Sequence, residues 1–161
     1  MSDMKFSDHG LGLLKKLEAF SPRLYDDGGT KGVGNCTVGY GHLVHYGPCN
    51  ANQHKSEHAF VNGITQTKAG PLLRSDSSWA VKAVNKLVTV NLTQNQFDAL
   101  VIFTFNVGTA AFAHSSLLKL INKHDFTKAP SAFRMWNKSG GKVLPGLTNR
   151  REKEITLFQE K

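Results

Sequence analysis

The stretch from Gln94 to Val107 constrains the fold of this chain more than any other segment. Its large apolar side chains point to every side of a helix rather than to one face; they are Phe97, Leu100, Val101, Ile102, Phe103 and Phe105. Thr93 and Gln96 stand at the spacing of a capping box, which predicts where this helix begins. A helix that is apolar nearly all round is stable only when other elements cover it. The sequence therefore predicts a mainly helical protein built around this segment.

The rest of the chain indicates an α+β protein, predominantly helical, in which all 161 residues form one domain. We expect an N-terminal helix from about 6 to 20 and a small antiparallel β lobe from about 24 to 52. A long helix at about 71–88 should join this lobe to a helical lobe at about 93–160. Its start is placed at Pro71, because proline is tolerated in a first turn and costs about 3 kcal/mol in a helix interior. Shorter helices are expected near 116–123, 126–136 and 148–159.

Glu18 shares one face of the first predicted helix with Leu14 and Leu11, four and seven residues before it. A carboxyl group on an apolar face is costly to ionise, which favours the protonated form that a general acid needs. The alternative is a solvated glutamate at a fraying helix end, the commoner situation for a lone Glu.

Asp27 follows Glu18 by nine residues, in a glycine-rich segment that continues to His42 and includes Thr37. Two carboxyl groups across a groove can cleave a glycosidic bond. One protonates the departing oxygen, and the other activates water or attacks the sugar. Taken alone, the Asp-Asp-Gly-Gly run that contains Asp27 could equally be an ordinary turn.

Several segments together resemble the phage lysozymes of glycoside hydrolase family 24, the endolysins of T-even and lambdoid phages, and especially the lambdoid-type subgroup. They follow the family's order along nearly the whole chain: EAFSPRLYDD at 18–27, TVGYGH at 37–42, LTQNQFDAL at 92–100, FNVG at 105–108, WNKSGGKVLPGL at 136–147 and RRE at 150–152. The resemblance implies a lysozyme-like fold in which a long helix joins the β lobe to the helical lobe. We also expect a monomer that needs no cofactor.

The resemblance assigns a role to each candidate catalytic residue. Glu18 matches the general acid, Asp27 the second carboxylate, and Thr37 the threonine that helps to place the attacking water. Arg150 matches a basic residue whose side chain approaches the catalytic acid, where its charge would favour the ionised carboxylate. The reaction in this family inverts the anomeric centre, which requires room for water between carboxylate and sugar.

Other positions take their roles from the same resemblance. His42 and Asp76 match an ion pair that joins the β lobe to the long helix. The candidates for the saccharide groove are Leu43, Phe105, Asn106 and Ser116. Simple core packing is the alternative role for the two apolar members of that set. The chain departs from the family's compact members in a longer turn at 28–36, which we expect to be mobile without substrate.

The net charge of +8 predicts attraction to polyanions. The basic residues are scattered, and no fingerprint of a nucleic-acid-binding module is present, so we expect no nucleic-acid partner. Bacterial peptidoglycan and the anionic cell envelope are the expected partners. The alternative is that the charge only keeps the protein soluble.

The first eight residues are polar and lack the apolar core of a signal peptide, and no apolar stretch is long enough to span a membrane. We therefore expect no stable membrane insertion. By the family resemblance, the protein should wait in the host cytoplasm until a holin opens the inner membrane, and then act on the periplasmic cell wall.

Cys36 and Cys49, with four histidines between positions 42 and 58, raise the question of a metal site. The spacing of the cysteines lacks the paired short intervals of a structural zinc site, so no metal is expected. A disulfide between Cys36 and Cys49 or a pair of buried thiols are the alternatives. A disulfide could form only after release from a reducing cytoplasm.

Together these features predict a muramidase that hydrolyses the β-1,4 bond between N-acetylmuramic acid and N-acetylglucosamine and thereby lyses the host. A lytic transglycosylase would cleave the same bond with one acid and no water-positioning pair. A non-catalytic cationic protein that binds the wall is the second alternative.

Overall fold

The computed structural model describes residues 2–161, which form two compact units. Leu13–Asp76 is the sheet unit; residues up to Gly12 and Ser77–Lys161 form the helical unit. In chain order the elements up to Asp76 are α1 (Asp8–Leu17), β1 (Ser21–Asp26), β2 (Cys36–Gly39), β3 (His42–His45), a 3₁₀ helix (Lys55–Phe60) and α2 (Gln66–Asp76). The later elements are α3 (Ser78–Leu87), α4 (Gln94–Val107), α5 (Thr109–His114), α6 (Ser116–Asn122), α7 (Ala129–Arg134), β4 (Lys138–Ser139), β5 (Lys142–Val143) and α8 (Pro145–Gln159).

Strands β1, β2 and β3 form one antiparallel sheet with β2 in the centre. Thr37 on β2 pairs with Tyr25 on β1 and with Leu43 on β3. In the turn between β2 and β3, Gly39 and Gly41 have φ angles of +67° and +78°, which glycine adopts without steric cost. This tight turn brings β3 back along β2 and leaves Thr37 between two neighbouring strands.

Helix α4 is the centre of the helical unit, as its composition predicts. Residues 97–104 are all buried, and α4 packs against α3, α5 and α8. The predicted capping box is confirmed: Thr93 Oγ1 accepts the N–H of Gln96, and Gln96 Oε1 accepts the N–H of Thr93. The ring of Phe103 meets the ring of Phe133 edge-on at 5.4 Å between centroids, one of the aromatic contacts that fill this core.

Pro71 does not begin a helix, and that prediction is wrong. Helix α2 begins at Gln66, because Thr65 supplies its first acceptor: the Thr65 carbonyl receives the N–H of Ala69 at 2.9 Å. Pro71 therefore lies inside α2. There it removes one helical hydrogen bond, a cost that the remaining turns of the helix offset.

The segment at 71–88 is not one long linking helix. Helix α2 ends at Asp76 and α3 begins at Ser78, with Ser77 between them. Ser77 is completely buried, and its carbonyl accepts the N–H of Ala80 in the first turn of α3. Residues 76–78 include no proline or glycine, so periodicity alone did not reveal the interruption.

Other boundaries also differ from those predicted. Helix α1 begins at Asp8 because Ser7 caps it, with Ser7 Oγ accepting the N–H of Gly10 at 3.0 Å, and it ends at Leu17 rather than near 20. Helix α8 starts at Pro145, a favoured first position, rather than near 148. The 3₁₀ helix, α5 and the β4–β5 hairpin were not predicted. None of the helices between residues 2 and 161 combines the length and the apolar composition that crossing a bilayer requires.

Candidate active site

Glu18 lies in the turn between α1 and β1. Its N–H donates to the carbonyl of Leu14 at 2.9 Å, so it continues the helical hydrogen bonding one residue beyond the end of α1. Leu14 is completely buried, whereas Glu18 is partly exposed. Two residues further on, the ring of Phe20 packs 5.1 Å from that of Tyr40 in the β2–β3 turn. This ring contact ties the chain that leaves the helix to the sheet.

Asp27 is exposed and directly follows β1. Its Oδ1 accepts the N–H of Asn35 at 2.7 Å, and its own N–H donates to the carbonyl of Asn35 at 3.1 Å. Within the loop, the N–H of Gly28 donates to the carbonyl of Val33 at 2.9 Å. The long turn at 28–36, expected to be mobile, is therefore closed by hydrogen bonds that hold the carboxylate of Asp27.

Gly34 is the position in this loop where a side chain would do most damage. Its φ is +95°, and a Cβ atom added there would collide with Asp27 Oδ1 and with the backbone nitrogen of Gly28. Only glycine lets the backbone pass this close to the carboxylate.

Thr37 is 3% exposed and sits on the central strand. Its hydroxyl donates to the carbonyl of Asn35 at 2.9 Å. Asn35 thus connects both candidates, since its N–H binds Asp27 and its carbonyl binds Thr37. The side chain of Asn35 is fixed as well, because its Oδ1 accepts the N–H of Gly47 at 2.9 Å. Nothing in the sequence had singled out Asn35.

Tyr25 is the second residue that sequence reasoning missed. Burial raises the pKa of its phenol, and the negative charges of Asp27 and Glu18 raise it further. Both carboxyl groups therefore lie within electrostatic reach of one phenol. Tyr25 and Asp27 also line a cavity of about 660 Å³, together with Lys31 and Cys49. Its position two residues before Asp27 was the available signal, since alternate strand residues share a face.

The two cysteines are joined: Cys36 and Cys49 form a disulfide. Beside it, Asp26 Oδ1 accepts the N–H of Cys49 at 2.7 Å, and Asp26 Oδ2 accepts the N–H of Gly32 at 2.6 Å. These N–H groups, that of Gly32 first, lower the pKa of the Asp26 carboxyl. Asp26 therefore holds the loop by accepting two backbone N–H groups, and it lines the same cavity as Asp27.

His42 and Asp76 are brought together within the sheet unit. Nδ1 of His42 lies 2.8 Å from Oδ2 of Asp76, and the side chains are 25% and 33% exposed. The ring of His42 also packs 6.1 Å from that of Phe60. The pair joins the start of β3 to the end of α2.

Arg150 belongs to the helical unit, on α8. Its Nε lies 3.3 Å from Glu154 Oε2, and it donates to the carbonyl of Ile102 at 3.4 Å. Arg151 Nε lies 2.9 Å from Glu154 Oε1. Burial raises the pKa of Glu154 to about 7, although Arg151 and Arg150 oppose the rise. Arg150 is thus part of a buried charged cluster.

The four candidates for the saccharide groove have different surroundings. Leu43 is 40% exposed on β3 of the sheet unit, beyond what a packed core residue shows. In the helical unit, the ring of Phe105 stacks on Trp79 at 5.9 Å. Ser116 Oγ donates to Met135 Sδ at 3.6 Å.

Asn106 is oriented by a buried cation. Arg151 donates to Asn106 Oδ1 at 2.6 Å, and the Arg151 guanidinium also stacks 5.0 Å from the Phe103 ring. The amide N–H₂ of Asn106 is therefore directed away from the arginine. Asn106 borders a cavity of about 260 Å³ whose wall includes Trp136.

The structure combines a small antiparallel sheet, an acid just before and just after β1, and a core built on one buried helix. This combination defines a lysozyme-like protein. The chain belongs to the phage lysozyme family, whose model matches residues 15–154.

Three relatives illustrate the similarity. The endolysin of Bacillus phage B103 is 42% identical over 158 residues, a match that covers 96% of this chain and 54% of that protein. The endolysin of Salmonella phage P22 is 36% identical over 157 residues, covering 96% and 98%. The muramidase domain of SpmX from Asticaccaulis excentricus has a TM-score of 0.79 at 34% identity, covering 98% and 99%. The chain thus spans about half of the Bacillus phage endolysin and nearly all of the other two, and the predicted family and fold class are confirmed.

Proposed function

We propose that this protein is an endolysin-type muramidase that hydrolyses the β-1,4 bond between N-acetylmuramic acid and N-acetylglucosamine in bacterial peptidoglycan. The observation that carries the proposal is the backbone of Asn35, which donates to Asp27 Oδ1 and accepts the hydroxyl of Thr37. A carboxylate and a hydroxyl held by one residue can place the water that attacks a sugar, and Glu18, just before β1, can protonate the leaving oxygen. Relatives named endolysin and muramidase support the same substrate class.

Glu18 is the proton donor in this mechanism. It transfers its proton to the glycosidic oxygen as the bond from that oxygen to the anomeric carbon breaks. Water attacks the anomeric carbon and gives one proton to Asp27. The products are a new hydroxyl at each sugar, an ionised Glu18 and a protonated Asp27. Proton exchange with solvent restores the starting state.

Thr37 and Asp27 together hold the water. Because the Thr37 hydroxyl donates to the carbonyl of Asn35, its oxygen is left to accept a hydrogen bond from a water molecule. Asp27 accepts the other water proton. Water attacking from the face opposite the leaving group inverts the anomeric centre, and such enzymes hold their carboxyl groups about 6.5–9.5 Å apart. Proton NMR of the first product should therefore show the inverted anomer, and a retained anomer would contradict this role of Thr37.

Variants of the two acids test the function. Glu18→Gln should abolish clearing of purified peptidoglycan, because the amide cannot protonate the leaving oxygen, and Asp27→Asn should reduce clearing nearly as far. The matched control is Glu160→Gln, an exposed acid at the C-terminal end of α8. Circular dichroism should show that all three variants are folded. Clearing at the wild-type rate by folded Glu18→Gln would rule out this assignment.

The products released from peptidoglycan distinguish the proposed hydrolase from the two alternative classes of protein. A lytic transglycosylase leaves an anhydro sugar, whereas hydrolysis leaves a reducing N-acetylmuramic acid end, and the two differ by one water in product mass. A non-catalytic wall-binding protein would bind peptidoglycan equally well after Glu18→Gln and release no saccharide in either form.

The candidates for saccharide binding in this proposal are Leu43, Phe105, Asn106 and Ser116. Leu43 offers an exposed apolar surface on β3, Phe105 an aromatic ring, and Asn106 and Ser116 polar groups. A role for Arg150 beside the catalytic acid stays a prediction. Asn106→Ala should raise KM more than it lowers kcat, since it removes an amide that binds saccharide without taking part in bond cleavage.

The expected site of action is the cell wall beneath an anionic envelope, reached from the host cytoplasm once the inner membrane is opened. The net charge of +8 would speed the encounter with such a wall. Clearing rates should fall as salt rises through about 0.15 M, where charges are screened beyond roughly 8 Å. A rate independent of salt would leave the charge without a role in binding.

A further inference from the structure

Three buried groups with metal-ligating atoms meet where β2, β3 and the 3₁₀ helix come together. Cys36 Sγ, a ring nitrogen of His45 and a carboxylate oxygen of Glu57 all lie within 4.8 Å of one another. Cys36 is 0% exposed, Glu57 1% and His45 9%. This is the one such cluster among residues 2–161, and neither the family match nor the hydrolase mechanism uses it.

His45 already has the hydrogen bonding of a metal-bound histidine. Its Nδ1 lies 2.8 Å from the carbonyl of Tyr46, so Nδ1 must carry a hydrogen atom. Its Nε2 lies 2.6 Å from Glu57 Oε2. In protein metal sites, a backbone carbonyl commonly holds one ring N–H and directs the other nitrogen toward the ion. A divalent cation bound to both groups would displace the proton between Nε2 and the carboxylate, and the two atoms would move apart to accept bonds of about 2.0–2.2 Å each.

Glu57 is fixed by the backbone around it. Its Oε2 accepts the N–H of Asn50 at 2.9 Å, and its Oε1 accepts the N–H of Asn52 at 3.1 Å. The carboxylate is thus oriented inside the sheet unit, with a backbone N–H donating to each of its oxygens.

Cys49 is the candidate for a fourth ligand and lies on a route of entry. Its sulfur is bonded to that of Cys36 but is not one of the atoms that lie within 4.8 Å of one another, so its side chain must turn toward the ion once the disulfide is reduced. Cys49 also lines the cavity of about 660 Å³ that contains Asp27, so this side of the cluster is open to solvent. Two sulfurs, one imidazole and one carboxylate make a ligand set suited to tetrahedral zinc, with bonds of about 2.3 Å to sulfur and 2.0–2.2 Å to nitrogen and oxygen.

We propose that the reduced protein binds one Zn²⁺ through Cys36, Cys49, His45 and Glu57. A phosphine or dithiol reductant delivers two electrons to the disulfide, which takes up two protons to give two thiols. Zinc then displaces both thiol protons and the proton shared by His45 and Glu57. The disulfide form lacks thiolates and does not bind the ion, so zinc and the disulfide are alternative cross-links at one place.

The two cross-links suit two compartments. Thiols stay reduced in a cytoplasm and pair in an oxidising environment. The zinc form would therefore hold β2, β3 and the 3₁₀ helix together wherever the disulfide cannot form. This consequence does not depend on the proposed hydrolase activity, since none of the four ligands takes part in bond cleavage.

The test uses Co²⁺ as a spectroscopic probe on the full chain. Protein reduced with a phosphine should bind one equivalent of Co²⁺ and show the charge-transfer absorption of a thiolate–cobalt bond, which Zn²⁺ should then remove. The oxidised protein is the matched control, because it has the same sequence without thiolates, and it should show no such band. Zn²⁺ should also raise the Tm of the reduced protein but not that of the oxidised one.

Single variants assign the ligands. Cys49→Ser, His45→Gln and Glu57→Gln should each weaken Co²⁺ binding by about 10–100-fold or more, as loss of supporting groups alone does in known sites. His58→Gln, an exposed histidine in the same 3₁₀ helix, should bind like the wild type. The proposal is overturned if reduced wild type shows no stoichiometric thiolate–cobalt band. It is also overturned if Cys36→Ser/Cys49→Ser keeps the band, or if reduced protein is unfolded both with and without Zn²⁺.

Discussion

Asn35 and Asp27 are joined by two hydrogen bonds of opposite sense: Asn35 N–H to Asp27 Oδ1 at 2.7 Å, and Asp27 N–H to the Asn35 carbonyl at 3.1 Å. The same Asn35 carbonyl accepts the hydroxyl of Thr37. A single backbone segment therefore sets the positions of the second carboxylate and of the threonine. The loop at 28–36 holds these groups in place, and substitutions at its individual positions test this role.

Gly34→Ala should reduce peptidoglycan hydrolysis by about tenfold to a hundredfold, because a misplacement of about 1 Å costs that much in a positioned catalytic group. The added methyl group would collide with Asp27 Oδ1 at a φ of +95°. Gly32→Ala is the matched control: its φ is +85°, but its Cβ would meet no atom within 4 Å. Initial clearing rates of the two folded variants decide the matter. Equal losses in both would show that backbone strain, not contact with Asp27, is the cause.

Asp27→Asn and Glu18→Gln should each lower the pKa of Tyr25, because each removes a negative charge that disfavours the phenolate. The rise caused by burial should remain in both variants. Ultraviolet titration in a Tyr40→Phe/Tyr46→Phe background follows Tyr25 alone. Glu160→Gln serves as the control and should leave the titration curve in place. An unchanged Tyr25 curve in both active-site variants would mean that the acids do not share one site.

Glu154→Gln should change the pH dependence of stability. The folded pKa of Glu154 is raised from 4.5 to about 7, so between these values the folded state keeps a proton that the unfolded state releases. Stability therefore falls as pH rises through this window, by an amount on the order of 3 kcal/mol. Relative to that of wild type, the free energy of unfolding of Glu154→Gln should increase as pH rises from about 5 to 8. Urea melts across this range measure it. Glu152→Gln is the control, because Arg134 lowers the pKa of that exposed acid. If the free energies of unfolding of wild type and Glu154→Gln differ by the same amount at every pH, the raised pKa of Glu154 is refuted.

Asp76→Ala should lower the free energy of unfolding by at most about 1 kcal/mol, the usual contribution of a partly exposed pair. It removes the contact of 2.8 Å with His42 that joins β3 to α2. Asp125→Ala, which loses a more exposed partner in Lys128, should cost less. Urea melts of both variants measure the difference. If Asp76→Ala is as stable as wild type, the pair of His42 and Asp76 contributes nothing to the free energy of unfolding.

The fold was predictable where the signal is local. The capping box at Thr93 and Gln96 and the apolar circumference of α4 depend on residues within a few turns of each other, so the sequence alone located this helix. The interruption between α2 and α3 at Ser77 was not predictable, since no proline or glycine stands at that point of the sequence. Pro71 misled for the opposite reason: proline prefers the first turn of a helix, but the carbonyl of Thr65, six residues earlier, accepts the N–H of Ala69 and starts α2 before Pro71.

The sequence by itself indicated the family, because its motifs follow the family's order along the chain, and it predicts the two acids and the threonine as catalytic residues from their spacing. Only the tertiary structure decided which groups support them. Asn35 binds Asp27 and Thr37 through its backbone, which any residue possesses, so its side chain gave no signal. Glu57 reaches His45 and Cys36 from a helix that follows a long irregular segment. Such contacts depend on how segments far apart in the sequence pack against each other. The spacing of residues along the chain does not specify which of these segments meet.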